Sequence, residues 1–203
     1  MKKKKETKKQ RTIAEYRQTA SPDSNKHKGT ASSLEEITAE GERQRSLRWR
    51  MYGLVPYNLS EIQKGIQYGH AVVEYAEHVM SRREHNIPYY TWARRDKTFV
   101  ILNGGTTSTN PESPGTMNLH AEMLRVMDVD VAVFFEPDLG DQLTAAAFLV
   151  DERVWDRETY PDFVSGFESM EETNEEAHYS QMWGEDWRSL LQLRLFIGQF
   201  KLA

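Results

Sequence analysis

The chain has 203 residues, a formal net charge of −5 and no cysteine, which suits one domain of ordinary size with polar extensions. The lack of cysteine excludes disulfides, thiolate zinc sites, iron–sulfur clusters and a cysteine nucleophile. No apolar run approaches the roughly 20 residues of a membrane helix, and none follows the basic N-terminus as in a signal peptide. We therefore expect a cytoplasmic protein without a membrane partner.

Charge is unevenly distributed along the chain. Residues 1–50 carry 14 basic and 7 acidic side chains, whereas the remainder carries 12 basic and 24 acidic side chains. The arm over residues 1–48 is rich in Lys, Gln, Ser and Thr, so we predict that it is largely disordered. The spacing of Ser33 and Glu36 also permits a polar helix over 34–48. A basic arm can bind nucleic acid through its phosphates or simply remain solvated, and composition leaves both open.

The segment over 49–152 has the pattern of one domain. Short apolar runs predict strands over 50–56, 96–102, 130–136 and 143–150. Capping signals predict one helix over 60–83 and a second that begins at Thr116 or Asn118. The turn 137–141 joins the last two strands as a hairpin. The order β-α-β-α-β-β predicts an α/β fold with a mixed four-stranded sheet covered by helices.

The first helix has the clearest periodicity in the chain. Apolar or small residues recur in steps of four and three, which predicts one continuous buried stripe. Two glycines one turn apart also indicate that the sheet or a ligand comes close to the helix. The residues of this predicted stripe are Ile62, Ile66, Gly69, Val73, Ala76 and Met80, and the glycine pair is Gly65 and Gly69.

Two segments follow the last predicted strand. Between 151 and 186 there are 12 acidic residues against Arg153 and Arg157, so we predict an exposed acidic excursion over 153–186, fastened by a few aromatic side chains. Leucine and phenylalanine recur over 187–203, which predicts a C-terminal helix. That helix packs on the domain or on a partner, and core packing is the favoured alternative.

The first predicted helix also presents polar groups. Gln63, Gln67 and His70 lie at spacings of four and three, so they share one face, and Lys64 is adjacent. This face lies at the end of the first strand, where ligands usually bind in open α/β sheets. Spacing alone is equally compatible with solvated glutamines and a boundary histidine. The loop after the second strand, from Asn103 to Thr109, offers amides and hydroxyls for a phosphate or is an ordinary connection.

The segment from Tyr52 to Val73 resembles the opening of type 2 peptidyl-tRNA hydrolases. That family has a hydrophobic strand, a short polar turn, and a helix with a glutamine followed by a histidine-alanine pair, which match Gln67 and His70-Ala71 here. The hairpin over 135–142 and the small apolar strand over 143–149 resemble later elements of the family. The resemblance covers about 51–152, half of the chain.

The resemblance implies hydrolysis of the ester between a peptide, or an aminoacyl group, and tRNA by an activated water, without a metal or other cofactor. It implies tRNA or another nucleic acid as a partner and permits a homodimer. Lys64 would stabilise charge, Asp138 would orient Lys64 or the water, and His70 and Gln67 would support the site. The predicted substrate-binding residues are Gln63, Asn103, Gly104, Gly105, Thr106, Asp141 and Thr144.

The motif positions depart from the family in two places. Counted back from His70, the family's lysines fall on Glu61 and Gln63, and its aspartate, counted from Gln142, falls on Pro137. An alternative function therefore stays open. In that alternative the same fold is a catalytically inactive binding or regulatory module, such as a phage accessory protein, that contacts a protein or nucleic acid through its added tails.

Overall fold

The structure, a computed structural model, describes residues 48–82, 86–164 and 175–203. The predictions for the basic arm, including the helix over 34–48, lie outside these residues. The described residues belong to one compact unit. Its elements are β1 Trp49–Pro56, α1 Glu61–Ser81, α2 Ile87–Thr91 with a following π-helical turn Trp92–Asp96, β2 Thr98–Gly105, α3 Thr116–Val126, β3 Val131–Glu136, β4 Gln142–Asp151, α4 Glu152–Trp155, α5 Glu175–Trp183 and α6 Trp187–Ile197.

The four strands form one mixed sheet in the order β2-β1-β4-β3. β1 and β2 are parallel, and β4 runs antiparallel to both β1 and β3. The predicted α/β fold with a mixed four-stranded sheet covered by helices is therefore confirmed. The predicted β-α-β-α-β-β order agrees in part, because α2 and the π-helical turn stand between α1 and β2. The carboxyl ends of β1, β2 and β3 meet the start of β4 at one edge of the sheet, which we call the carboxyl edge. The opposite edge is the amino edge.

Helices cover both faces of the sheet, and each face has its own apolar core. α1 covers one face, and α3 and α6 cover the other. None of the helices in the described ranges is long and apolar enough to cross a membrane. The core under α1 includes Met51, Val55, Tyr68, Tyr75 and Leu149, and the core under α3 and α6 includes Leu54, Leu102, Met117, Phe148 and Phe196. The favoured core packing of the C-terminal helix is thus confirmed.

The predicted buried stripe of α1 is wrong, because the helix turns that stripe to solvent. Ile62 is 77% exposed, and Ile66, Val73 and Met80 are each more than half exposed. A Cβ added at Gly65 or Gly69 would meet no atom within 4 Å, so neither the sheet nor another segment approaches there. The buried residues of α1 are instead Gln67, Tyr68, Ala71, Tyr75 and Val79.

A tyrosine on α1 fixes the helix against β1. The Tyr68 ring lies directly over Gly53, where an added Cβ would be 2.2 Å from the ring. The Tyr68 hydroxyl donates a hydrogen bond to the Met51 carbonyl at 2.7 Å. Burial raises the pKa of Tyr68 far above its usual range, so the hydroxyl remains a donor. Gly53 is therefore required for the close approach of α1 to the sheet.

The described parts of 153–186 combine exposed positions with buried aromatic side chains that fasten them to the domain. Tyr179 and Trp183 on α5 are 3% and 1% exposed. The Arg194 guanidinium, on α6, donates hydrogen bonds to the carbonyls of Val154, Tyr160 and Arg153 and pairs with Asp162 at 2.8 Å. It also lies 4.1 Å from the centroid of the Trp183 ring. This buried arginine therefore joins residues 153–162 and α5 to the domain.

Candidate functional site

A chain of three hydrogen-bonded side chains lies under the second turn of α1 at the carboxyl edge. The Thr144 hydroxyl donates to Gln67 Oε1 at 2.7 Å, and Gln67 Nε2 donates to Glu136 Oε2 at 2.6 Å. Thr144 is fully buried and Gln67 is 7% exposed. Because an amide with both ends engaged cannot rotate, β3 and β4 fix the orientation of Gln67 on α1. Thr144 therefore contacts Gln67 and has no surface left for a substrate.

Glu136 is the site residue that sequence reasoning missed. It is the last residue of β3, and its second carboxylate oxygen accepts from the Asp138 amide at 3.4 Å. A glutamate that ends an otherwise apolar strand at the ligand-binding edge was the available signal. Asp138 and Asp141, which we predicted as site residues, lie in the exposed turn that follows. Asp141 has a left-handed backbone with φ of 57°.

Lys64 lies one turn before Gln67 on the same side of α1. Its side chain is only 11% exposed, and its ammonium pairs with Glu61 at 3.0 Å. Among the described residues, no ion pair joins Lys64 to Asp138. Gln63 is occupied as the partner of Ser60 in the capping box that starts the helix. The ammonium of Lys64 is therefore the charged group that α1 brings to this edge beside Gln67.

His70 is at the surface next to this group. Its ring stacks on the Phe134 ring with centroids 4.5 Å apart and planes 20° from parallel. The side chain is exposed, and His70 follows Gln67 by one helical turn on α1. The stacking restricts the imidazole to one plane beside β3.

At the end of β2 and just after it, two backbone amides of the predicted phosphate cradle already have partners. The Gly105 amide donates to the Asn103 side chain at 3.0 Å, and the Thr106 amide donates to the Thr116 hydroxyl at 2.8 Å. Gly104 packs so closely that an added Cβ would lie 2.3 Å from a sulfur atom on α3. Because both amides are already engaged, a phosphate bound by this predicted cradle would have to displace them.

The basic residues that could have faced tRNA at this site lie elsewhere. Arg94, Arg95 and Lys97 occupy the π-helical turn and the start of β2, at the amino edge. Arg82, at the end of α1, pairs with Asp130 at 3.3 Å. About six residues of strand, or roughly 20 Å, therefore separate these cations from Lys64.

The carboxyl edge thus combines a fixed amide, a carboxylate, a shielded ammonium and a surface imidazole. These groups can bind a carbonyl oxygen, stabilise negative charge on it and accept a proton. No group of three or more potential metal-binding side chains is present in the parts of the chain that the structure describes. Comparison with models of known protein families finds no match for this chain, and comparison with curated proteins also finds none.

Proposed function

We propose that the carboxyl edge at α1 is an ester-hydrolase site for peptidyl-tRNA or aminoacyl-tRNA. The observation that carries the proposal is the buried chain Thr144–Gln67–Glu136, because it fixes an amide where the resemblance to type 2 peptidyl-tRNA hydrolases places a glutamine. Buried polar groups at a ligand-binding edge are costly unless each is satisfied, and here both ends of the Gln67 amide have partners. The mixed four-stranded sheet, with two strands joined through helices and a last antiparallel pair, also supports the proposal.

The fixed amide and the shielded ammonium supply complementary donors. Gln67 Nε2 uses one hydrogen on Glu136, which leaves its second hydrogen for the carbonyl oxygen of an ester. The Lys64 ammonium uses one of its three donors on Glu61. Because its side chain is 11% exposed, the remaining donors act in a partly desolvated place, where a charge interacts more strongly with a developing oxyanion.

The reaction requires a water that attacks the ester carbonyl carbon. The carbonyl oxygen becomes an oxyanion next to Lys64 and Gln67, the bond to the ribose oxygen breaks, and that oxygen takes a proton. The products are a free carboxylic acid and tRNA with a free terminal hydroxyl. Asp138, in the exposed turn after Glu136, orients the attacking water. His70 contacts the terminal nucleotide beside the Phe134 ring.

The test is release of a labelled peptide from peptidyl-tRNA by the wild type, Lys64→Ala and Gln67→Leu. Loss of one group that stabilises an oxyanion lowers the rate by roughly 100- to 1,000-fold, so both variants should be nearly inactive. Arg188→Ala is the matched control, because it removes an exposed cation on α6 that pairs with Glu176 and is not part of the proposed site. Release at the wild-type rate by Lys64→Ala, or no release by the wild type, would contradict the proposal.

A second candidate function is a binding module without hydrolysis. It is favoured by the ion pair of Lys64 with Glu61 instead of Asp138, and by the position of Arg94 and its neighbours at the amino edge. The same assay separates the two functions. Absence of release together with binding of uncharged tRNA would support the binding module and end the hydrolase proposal.

A further inference from the structure

A cavity of about 380 Å³ lies between α2 and the π-helical turn, away from the carboxyl edge. Its volume is within the range of roughly 300–1,000 Å³ that small-molecule sites usually have. Five described residues line it, of which two are arginines and none is acidic: Ile87, Tyr90, Thr91, Arg94 and Arg95. An apolar and aromatic wall beside two guanidinium groups is suited to a ligand with a flat ring and negative charge.

The aromatic wall is held in a defined position. The Arg94 guanidinium lies 5.6 Å from the centroid of the Tyr90 ring, and the Tyr89 ring packs edge-on against Tyr90 with centroids 5.5 Å apart. Ile87, at the rim, is 71% exposed. The Tyr90 ring is half-buried, and an accessible aromatic ring beside basic side chains is the pattern by which proteins stack unpaired bases.

The charge of this surface contrasts with that of the body. Residues 51–203 carry 12 basic and 24 acidic side chains, yet the four residues 94–97 contain three of the basic ones. The acidic member, Asp96, is buried, where it accepts from the amides of Arg48 and Trp49 and pairs with Arg95 at 2.7 Å. Arg94 and Lys97 are exposed. The stretch therefore presents net positive charge to solvent from an otherwise acidic domain.

The backbone that carries these cations is unusual. A π-helical turn is rare and frequently marks a functional position, and here it spans Trp92–Asp96. Lys97 ends the turn in the left-handed conformation with φ of 48°. Asp96 anchors the turn to β1 through the Trp49 amide at 2.9 Å. The cations are thus displayed on a rigid support.

We propose that this cavity binds an unpaired stretch of polynucleotide, with a base stacked on the Tyr90 ring and successive phosphates held by Arg94, Arg95 and Lys97. A polynucleotide fits better than a mononucleotide, because Lys97 extends the row of cations beyond the cavity lining. The surface lies about 20 Å from Lys64, roughly the length of β1, so binding does not require hydrolysis at the carboxyl edge.

The test measures fluorescence anisotropy of a labelled single-stranded 12-mer oligoribonucleotide with the full chain. Tyr90→Ala should weaken binding by roughly 5- to 150-fold, because one stacked base is lost. Tyr90→Phe retains the ring and should bind like the wild type. Arg94→Ala should reduce the slope of log affinity against log salt by about 0.7, because one phosphate contact is removed. The N-terminal arm is identical in all variants, so its own phosphate contacts cancel.

Arg125→Glu is the control for a general loss of positive charge, because Arg125 is exposed on α3 and outside the cavity lining. Arg125→Glu should bind the oligoribonucleotide with an affinity within twofold of that of Arg125→Gln. Thermal melting confirms that each variant folds. Three results would overturn the proposal. The first is wild-type affinity for the oligoribonucleotide in Tyr90→Ala and Arg94→Ala. The second is a loss of affinity in Arg125→Glu equal to that in Arg94→Ala, and the third is competition by a mononucleotide as strong as that by the oligoribonucleotide. Because the probe carries no ester, failure of the proposed hydrolase leaves this result interpretable.

Discussion

Replacement of the buried Arg194 should have the largest effect on stability among single substitutions in α6. The guanidinium is 2% exposed and reaches three backbone carbonyls as well as Asp162. Arg194→Leu removes the guanidinium donor from the three carbonyls and leaves Asp162 with Arg157 alone. Breaking a buried charged network by removing one partner costs about 3–5 kcal/mol. In a domain of this size each kcal/mol corresponds to about 2–4 °C, so Tm should fall by roughly 6–20 °C.

The assay is urea denaturation followed by circular dichroism, with thermal melting alongside. Arg188→Leu is the matched control, because Arg188 lies on the same helix but its side chain is 64% exposed and pairs with the exposed Glu176. That variant should change the free energy of unfolding by less than about 1 kcal/mol. Arg194→Lys should lower the free energy of unfolding by an amount between those of the two leucine variants, since an ammonium has three donors but not the planar geometry of a guanidinium. Equal costs for Arg194→Leu and Arg188→Leu would refute the view that this arginine joins the added segments to the domain.

Three further predictions concern the sheet and its edges. Gly53→Ala should destabilise the protein by about 1–3 kcal/mol in urea denaturation, because the added Cβ overlaps the Tyr68 ring. Gly65→Ala is the control, because its added Cβ lies in open space, and it should be neutral or stabilise the protein by up to about 1 kcal/mol. Thr144→Val should cost about 1–3 kcal/mol, and an unchanged denaturation midpoint would mean that the buried amide needs no partner there. Burial lowers the pKa of His120, and a hydrogen bond to the Gly104 carbonyl offsets this shift in part. The unfolded chain therefore binds the proton more readily than the folded chain. The free energy of unfolding should fall as pH drops from 7 through the ordinary histidine range near 6.5. His120→Asn should flatten that pH dependence, and an unchanged slope would contradict the assignment.

The strands could be predicted to within three residues because each is a short apolar run between turn residues. The buried face of α1 could not be predicted in the same way. Counting aliphatic residues favoured the side with Ile62 and Val73, but the sheet packs against the side with Tyr68 and Tyr75, whose rings bury a large area. The Tyr68 hydroxyl also finds a backbone acceptor in β1. Periodicity identifies a helix, whereas the choice between two apolar faces depends on the surface opposite.

The candidate site was predictable only in its location. Gln67, Lys64 and His70 were identified from one helical face, but their partners depend on contacts remote in sequence. Glu136 is 69 residues from Gln67, and Thr144 is 77 residues away. The π-helical turn was also missed, because the segment before β2 has neither helical nor strand periodicity and its anchor is the buried Asp96. Such tertiary partners leave no local signal in the sequence.

The outward face of α1 has a practical consequence for handling the protein. Four apolar side chains add little to the packing of the single chain, yet they form an exposed apolar strip along this 21-residue helix: Ile62, Ile66, Val73 and Met80. Val73→Lys or Ile66→Glu would leave the sheet untouched and introduce residues with a greater helical preference. This strip is therefore the first place to engineer for higher solubility and monodisperse samples.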